Sequence, residues 1–292
     1  MIAARATRMP RPRDVVDVCA EFARSYELGR SPVIRALDCC VLGRDYAATS
    51  WTTGQEAERV AGLLQLRPRM RLLDVGAGSG WPGLFIAQKT GCDVVLADIP
   101  LAGLRIAVER ATADGLGQRC CTVAADGARL PFNDGAFDAI SHSDVLCCMP
   151  AKSSMLRECR RVSRPGAVMV FSVIVVAPIL AAPERTIALD AGPPFVSLDG
   201  DYALLLDKSG WVSHECIDLT AEFARCARAL VEGMRANASA LAEVYGADDF
   251  SERMRRREAA SAAIDGGLLK RELFVAIASS SSGGTQSAGF TP

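Results

Sequence analysis

The chain has 292 residues, a formal net charge of −1, 23% charged and 50% hydrophobic side chains. That balance offers no basic surplus for nucleic acid or an anionic membrane surface. The length is ample for one large α/β domain or for a domain with additions.

The eleven cysteines are odd in number, include the adjacent pairs Cys39-Cys40, Cys120-Cys121 and Cys147-Cys148, and show no C-x-x-C spacing. They fit neither a zinc site nor a disulfide framework, so no metal is expected. Most lie among Val, Ala and Leu, which marks them as small core hydrophobes of a reduced, cytoplasmic protein. Residues 1–13 carry Arg5, Arg8, Arg11 and Arg13 but no apolar core of signal-peptide length, and read as a flexible arm. The longest apolar run, 167–182, is interrupted by Ser172 and Pro178 and is short for a bilayer span. It reads as a buried strand, and no stable membrane insertion is expected.

Taken in order, Val15, Val18, Phe22 and Tyr26, then Val33, Ile34, Leu37 and Val41, predict two amphipathic helices parted by Gly29-Arg30-Ser31-Pro32. A third helix starts near Thr52, where Thr52 with Gln55 or Thr53 with Glu56 offers a capping box. Next comes residue 71 to 83. Leu72-Leu73-Asp74-Val75 is a buried strand, and Gly76, Gly78 and Gly80 then let the backbone turn sharply against a ligand before a helix opens near Pro82. Gly78-x-Gly80-x-x-Gly83 also fits the dinucleotide fingerprint, with Asp98 about twenty residues on. Asp74 separates the two readings. A carboxylate at the strand end repels a pyrophosphate but suits a ligand carrying a sulfonium and an ammonium.

Asp74-x-Gly76-x-Gly78-x-Gly80 resembles motif I, E/D-x-G-x-G-x-G, of the class I S-adenosylmethionine-dependent methyltransferases, and the stretch from Leu130 to Leu146 resembles the L-P-F-x-D-x-x-F-D-x-V segment of small-molecule members. The resemblance implies a Rossmann-like α/β fold: a seven-stranded, mostly parallel sheet with helices on both faces and an antiparallel last strand. It implies S-adenosyl-L-methionine as cofactor. Strands are expected near 92–97, 120–124, 137–141, 167–176, 212–219 and 268–278. The resemblance assigns Asp98 to the ribose hydroxyls and Asp126, with Gly127 beside it, to adenine. Ile99 and Ser141 join the candidate cofactor set. Because the family's N-terminal helices commonly cap cofactor and substrate, Trp51 and Thr52 are candidate lid residues over the cofactor, and Tyr26 and Tyr46 candidate substrate contacts.

The loop after the fourth strand, Ser141 to Pro150, should face the transferable methyl. His142 is its imidazole, a candidate base and substrate contact, and Asp144 would orient it or bind a cationic substrate. Arg157, Arg160 and Arg161 read as a solvated helix face, and His214 as structural. The domain plan is an arm (1–13), a helical cap (14–66), a methyltransferase domain (67–278) with a helical lid insertion at 220–267, and a disordered tail (279–292). The insertion has an alternative use as a homodimer contact.

The function expected is methyl transfer to an O, N or C nucleophile of a small organic molecule. No N-P-P-Y or D-P-P-Y tetrad follows the fourth strand, so neither base methylation nor a nucleic-acid partner is expected. The alternatives are a methyltransferase-like protein that binds the cofactor without catalysis, and a dinucleotide oxidoreductase, which Asp74 and the missing Tyr-x-x-x-Lys spacing oppose. Among acceptors, arsenite has only Cys147 and Cys148 on the substrate loop, whereas a lipid or quinone suits an apolar lid.

Overall fold

The computed structural model describes residues 15–45 and 49–279. The arm, Tyr46 and the tail beyond Ser279 lie outside the described residues. Three helices lead the chain: α1 (Val15–Leu28), α2 (Pro32–Leu42) and α3 (Gly54–Leu63). Of the two candidate capping boxes, half of the Thr53 and Glu56 pairing forms: the Thr53 hydroxyl accepts the Glu56 N–H at 3.1 Å, while the Glu56 carboxylate turns to Arg271.

Strands β1 (Arg71–Val75), β2 (Asp93–Asp98), β3 (Cys120–Ala124), β4 (Phe137–Ser143), β5 (Ser163–Val176), β6 (Trp211–Asp218) and β7 (Leu269–Ala278) form one seven-stranded sheet in the order β3-β2-β1-β4-β5-β7-β6. β7 runs antiparallel to both β5 and β6, and the β1, β2, β3, β4 and β5 pairings are parallel. Because β1 lies between β2 and β4, its carboxyl end is the switch point at which such sheets bind ligands. Helices α4 (Gly83–Thr90), α5 (Leu101–Ala113), α6 (Lys152–Val162), α7 (Ala182–Ala191) and α8 (Tyr202–Asp207) fill the crossovers.

The two faces bury separate cores. Leu72 and Leu73 are adjacent and fully buried, yet Leu72 joins Leu84, Leu96 and Leu104 while Leu73 joins Ile140, Phe171 and Phe274. Each such side chain contributes about 1.5–3 kcal/mol by leaving water, which is why β1 is apolar on both faces. Between β6 and β7 lie α9 (Thr220–Ala236), α10 (Ala238–Tyr245) and α11 (Ala247–Asp265). They meet the leading helices: Ile34 and Leu37 of α2 share a small core with Met234 of α9 and Leu241 of α10. Cap and insertion are thus joined to each other as well as to the sheet.

Two expectations need correction. Only Cys92, Cys147, Cys159 and Cys226 are buried, all eleven cysteines being free. Cys120, Cys121 and Cys216 fall on the two edge strands, β3 and β6, where one side has no neighbour to cover them. Nor are the α6 arginines all solvated. Arg161 donates to the Leu130 and Phe132 carbonyls and to Asp134 and Glu158, and Arg160 donates to the Gly210 carbonyl, so only Arg157 is exposed. No helix among the described residues is long and apolar enough to cross a membrane.

Candidate functional site

The site is built at the carboxyl ends of β1, β2 and β4. Gly76, Gly78 and Gly80 have φ of 69°, 52° and 96°, the left-handed region that a side chain disfavours. The Gly76 and Ala77 N–H groups both donate to the Ala97 carbonyl of β2, at 2.7 and 3.2 Å, folding the loop back over the sheet edge. Val145, from the loop after β4, packs so closely on Gly76 that a Cβ there would overlap it. Two loops from neighbouring strands therefore touch.

Asp74 lies beneath this loop. It is 1% exposed, accepting the Ser141 hydroxyl at 2.7 Å and the Gly83 N–H at 3.2 Å, the latter at the start of α4. A Cβ on Gly83 would sit 2.5 Å from its Oδ2, so the third glycine is required by the carboxylate rather than by a ligand. Burial pushes the Asp74 carboxyl up to about 7, against the pull of the Ser141 and Gly83 bonds. The side chain is enclosed beneath the loop and bonds it from within, joining β4 to the start of α4.

Asp98, half-buried at the end of β2, is the outward-facing acid. Its Oδ2 accepts the Gly78 N–H and its Oδ1 the Ile99 N–H, both at 2.7 Å, which leaves lone pairs on each oxygen for further donors. Burial raises it to about 6, opposed by those two bonds. Ile99 is 42% exposed beside it. Asp126 is exposed and makes an Asx turn, accepting the Ala128 N–H at 2.9 Å. Gly127 packs against Val75 and Met155, where a Cβ would meet carbons at 3.0 and 3.3 Å.

Tyr26 is placed at this end of the site. Its hydroxyl would lie 2.5 Å from a Cβ on Gly78, and its ring covers Gly103 of α5. Burial and then the Asp98 charge push its phenol up, so it stays protonated. Tyr26 thus packs α1 against the glycine loop and the first turn of α5. Trp51 and Thr52 precede α3. The Thr52 carbonyl accepts the indole N–H of Trp81 in the glycine loop at 2.8 Å, and Trp51 meets Phe223 of α9 edge-on at 5.0 Å.

The predicted catalytic pair separates. Ser141 and His142 are neighbours on β4 and point to opposite faces; with Ser141 turned to Asp74, His142 enters the core and stacks on Phe171 at 4.6 Å. It is 1% exposed, neither ring nitrogen has a hydrogen-bond partner, and burial lowers it to about 3. A neutral, enclosed imidazole does not fit the role of general base. Asp144, at φ 57°, instead accepts the Arg271 Nε at 2.9 Å.

Arg271 is the residue sequence reasoning missed. It is 1% exposed in β7, and its other nitrogens donate to both Glu56 oxygens at 2.6 and 2.9 Å, to Ser172 at 2.8 Å and to Thr52 at 3.3 Å. Burial draws its pKa down, but the Asp144 and Glu56 carboxylates outweigh that and hold it raised. One guanidinium therefore ties the β4 loop, the first turn of α3 and the sheet together. The available signal was parity: between Lys270 and Glu272, Arg271 alternates with the buried Leu269 and Leu273 rather than with the half-buried charges beside it.

With this geometry in view, comparison with known proteins is direct. A family profile described as a methyltransferase domain matches residues 73–171, the segment from β1 through the glycine loop to β5. Residues 73–171 of the chain thus match a methyltransferase domain, and the chain resembles the class I S-adenosylmethionine-dependent methyltransferases. Methyltransferase GfsG of Streptomyces halstedii is 32% identical over 157 residues, 52% of this chain and 56% of the relative. A demethylmenaquinone methyltransferase of Mycobacterium marinum is 34% identical over 167 residues, 57% of this chain and 62% of the relative. The chain therefore spans little more than half the length of these curated relatives. By structure, a phosphoethanolamine N-methyltransferase 2 from Haemonchus contortus, solved with phosphomonomethylethanolamine and S-adenosylhomocysteine, superposes with a TM-score of 0.74 at 14% identity, over 93% of this chain and 62% of its own.

The family match sets aside the dinucleotide reading of the glycines. S-adenosylmethionine is the cofactor of this family, and the chain has residues that fit it: an outward carboxylate with free lone pairs at Asp98, an exposed apolar side chain at Ile99, and a loop of left-handed glycines at Gly76, Gly78 and Gly80.

Proposed function

We propose that this chain transfers a methyl group to an O, N or C nucleophile of a small organic molecule by in-line displacement. The observation that carries the reading is the link between the Asp98 carboxylate and the Gly78 N–H, which joins the end of β2 to the glycine loop of β1. When bound, the cofactor supplies a methyl carbon activated by its sulfonium. Asp98 accepts the ribose hydroxyls, Ile99 covers the adenine ring, and Asp126 with Gly127 meets the adenine edge. Gly76, Gly78 and Gly80 let the backbone approach, while Asp74 and Ser141 hold the loop in shape from beneath. Tyr26, Trp51 and Thr52 close over the glycine loop, and the helices of 220–267 form the lid over the acceptor.

Catalysis on this account is positioning and exclusion of water rather than proton abstraction by a dedicated base. His142 is enclosed and Asp144 is neutralised by Arg271, so neither is offered as the group that deprotonates the acceptor. Arg271, through Asp144, positions the loop that faces the methyl. The test is incubation of the purified chain with radiolabelled S-adenosylmethionine and a panel of apolar small molecules bearing hydroxyl, amine or activated carbon. Transfer of label to a small molecule is expected. Cofactor binding with no transfer across the panel, and none to cell extract depleted of macromolecules, would replace the enzyme with a non-catalytic binding protein.

A further inference from the structure

Helix α11 presents two kinds of arginine. Arg255 and Arg256 hold Glu252 at 2.8 and 2.9 Å. Arg253 and Arg257, one turn apart, point elsewhere: Arg253 lies 4.6 Å over the Tyr245 ring and Arg257 5.2 Å over the Trp51 ring. Both are half-buried, and among the described residues neither has a carboxylate within ion-pair distance or a hydrogen-bond acceptor. Burial and then the Arg253 charge draw the Arg257 guanidinium down; the carboxyl acting against them, Asp38 of α2, is itself pushed up by burial to about 7 in spite of Arg110 and Arg257. A guanidinium remains charged in proteins, and holding one half out of water without an acceptor is costly.

The place adjoins the glycine loop through Trp51 and Thr52. Trp51 precedes Thr52, whose carbonyl holds Trp81 of the glycine loop, and it packs on the same core cluster as Val145, Cys148 and Met149 of the loop after β4. Arg110, the other cation near Asp38, donates to the Ser79 carbonyl in the glycine loop at 3.2 Å. Aromatic surface from Trp51 and Tyr245 thus lies under two guanidiniums that no protein carboxylate satisfies.

We propose that Arg257, flanked by Arg253 and floored by Trp51, is an oxyanion subsite for the methyl acceptor, which carries a carboxylate or phosphate on an apolar body. This rests on the methyl-transfer reading of the same site. The planar fork of Arg257 takes two oxygens of the anion while the rings of Trp51 and Tyr245 cover the adjoining apolar carbons. An acceptor so held by its charged end has its remaining length directed to the β4 loop.

The test is calorimetric titration of the full chain, with and without saturating S-adenosylhomocysteine, using hexanoate, hexyl phosphate and hexanol. One or both anions should bind and the alcohol should not, and Arg257→Gln should weaken anion binding by about tenfold or more, as expected for a lost charge-assisted pair. Arg257→Lys, which keeps the charge and loses the fork, serves if the Gln variant fails to fold, and should also bind more weakly. Intact S-adenosylhomocysteine binding with no saturable anion binding, or anion binding equal in wild type and variant, overturns the subsite alone. Weakened S-adenosylhomocysteine binding in Arg257→Gln with unchanged 5′-methylthioadenosine binding also overturns it, since the fork would then serve the cofactor's carboxylate. Arg257-dependent anion binding in a chain that binds no S-adenosylhomocysteine keeps the subsite and removes the methyl-transfer reading.

Discussion

Replacing His142 by Phe exchanges a titratable ring for an apolar one in the same stack on Phe171, 4.6 Å away and 22° from parallel. The wild-type imidazole is held at about 3 by burial, against an ordinary value of 6.5. Below pH 6.5 the unfolded chain therefore binds a proton that the folded chain refuses, and stability falls by about 1.4 kcal/mol per pH unit until the folded value is reached. Near pH 5 that amounts to about 2 kcal/mol, absent from the variant. The two unpartnered ring nitrogens add a pH-independent cost of about 1–3 kcal/mol, partly offset by the larger volume of Phe. Urea unfolding followed by tryptophan fluorescence at several pH values measures both parts. The variant should be at least as stable as wild type near neutrality, with an advantage that grows by about 2 kcal/mol down to about pH 5. Parallel pH curves would refute the enclosed, neutral imidazole. Loss of methyl transfer with cofactor affinity and stability intact would restore His142 as a base.

Other outcomes follow from the same geometry. Arg271→Met leaves Glu56 and Asp144 as buried, uncompensated acids and should cost about 3–5 kcal/mol in urea unfolding; a change below 1 kcal/mol, about the worth of an exposed pair, would mean the network is solvated. Asp98, raised to about 6, is a full carboxylate only above that pH. Affinity for S-adenosylhomocysteine should be level above about pH 7 and fall below about 6, and Asp98→Asn should flatten the profile. A wild-type profile unchanged to about pH 5 would remove Asp98 from the ribose.

Much of the frame was legible because it depends on local pattern. The apolar runs of β1, β2, β4 and β5, the glycines after β1 and the acid closing β2 are each defined by neighbours within a few residues. The Thr53 cap is likewise a four-residue signal. What escaped depends on register and distant partners. The facing of His142 follows from the pairing of Asp74 with Ser141, a one-residue parity that the presence of an imidazole on a promising loop does not reveal. Arg271 meets Glu56 across 215 positions and Asp144 across 127, so its meaning is invisible in the strand that carries it. The α6 arginines share the helix's polar side, yet Arg160 and Arg161 find carbonyl oxygens in loops that the helix does not contain.

The most direct test of the central claim is calorimetric titration of the purified chain with S-adenosylmethionine, S-adenosylhomocysteine and NAD(P)H, for wild type and Asp98→Ala. Binding of both adenosyl ligands, weakened by the substitution and absent for the dinucleotides, is the result this account predicts. Binding of a dinucleotide and of neither adenosyl ligand would contradict it.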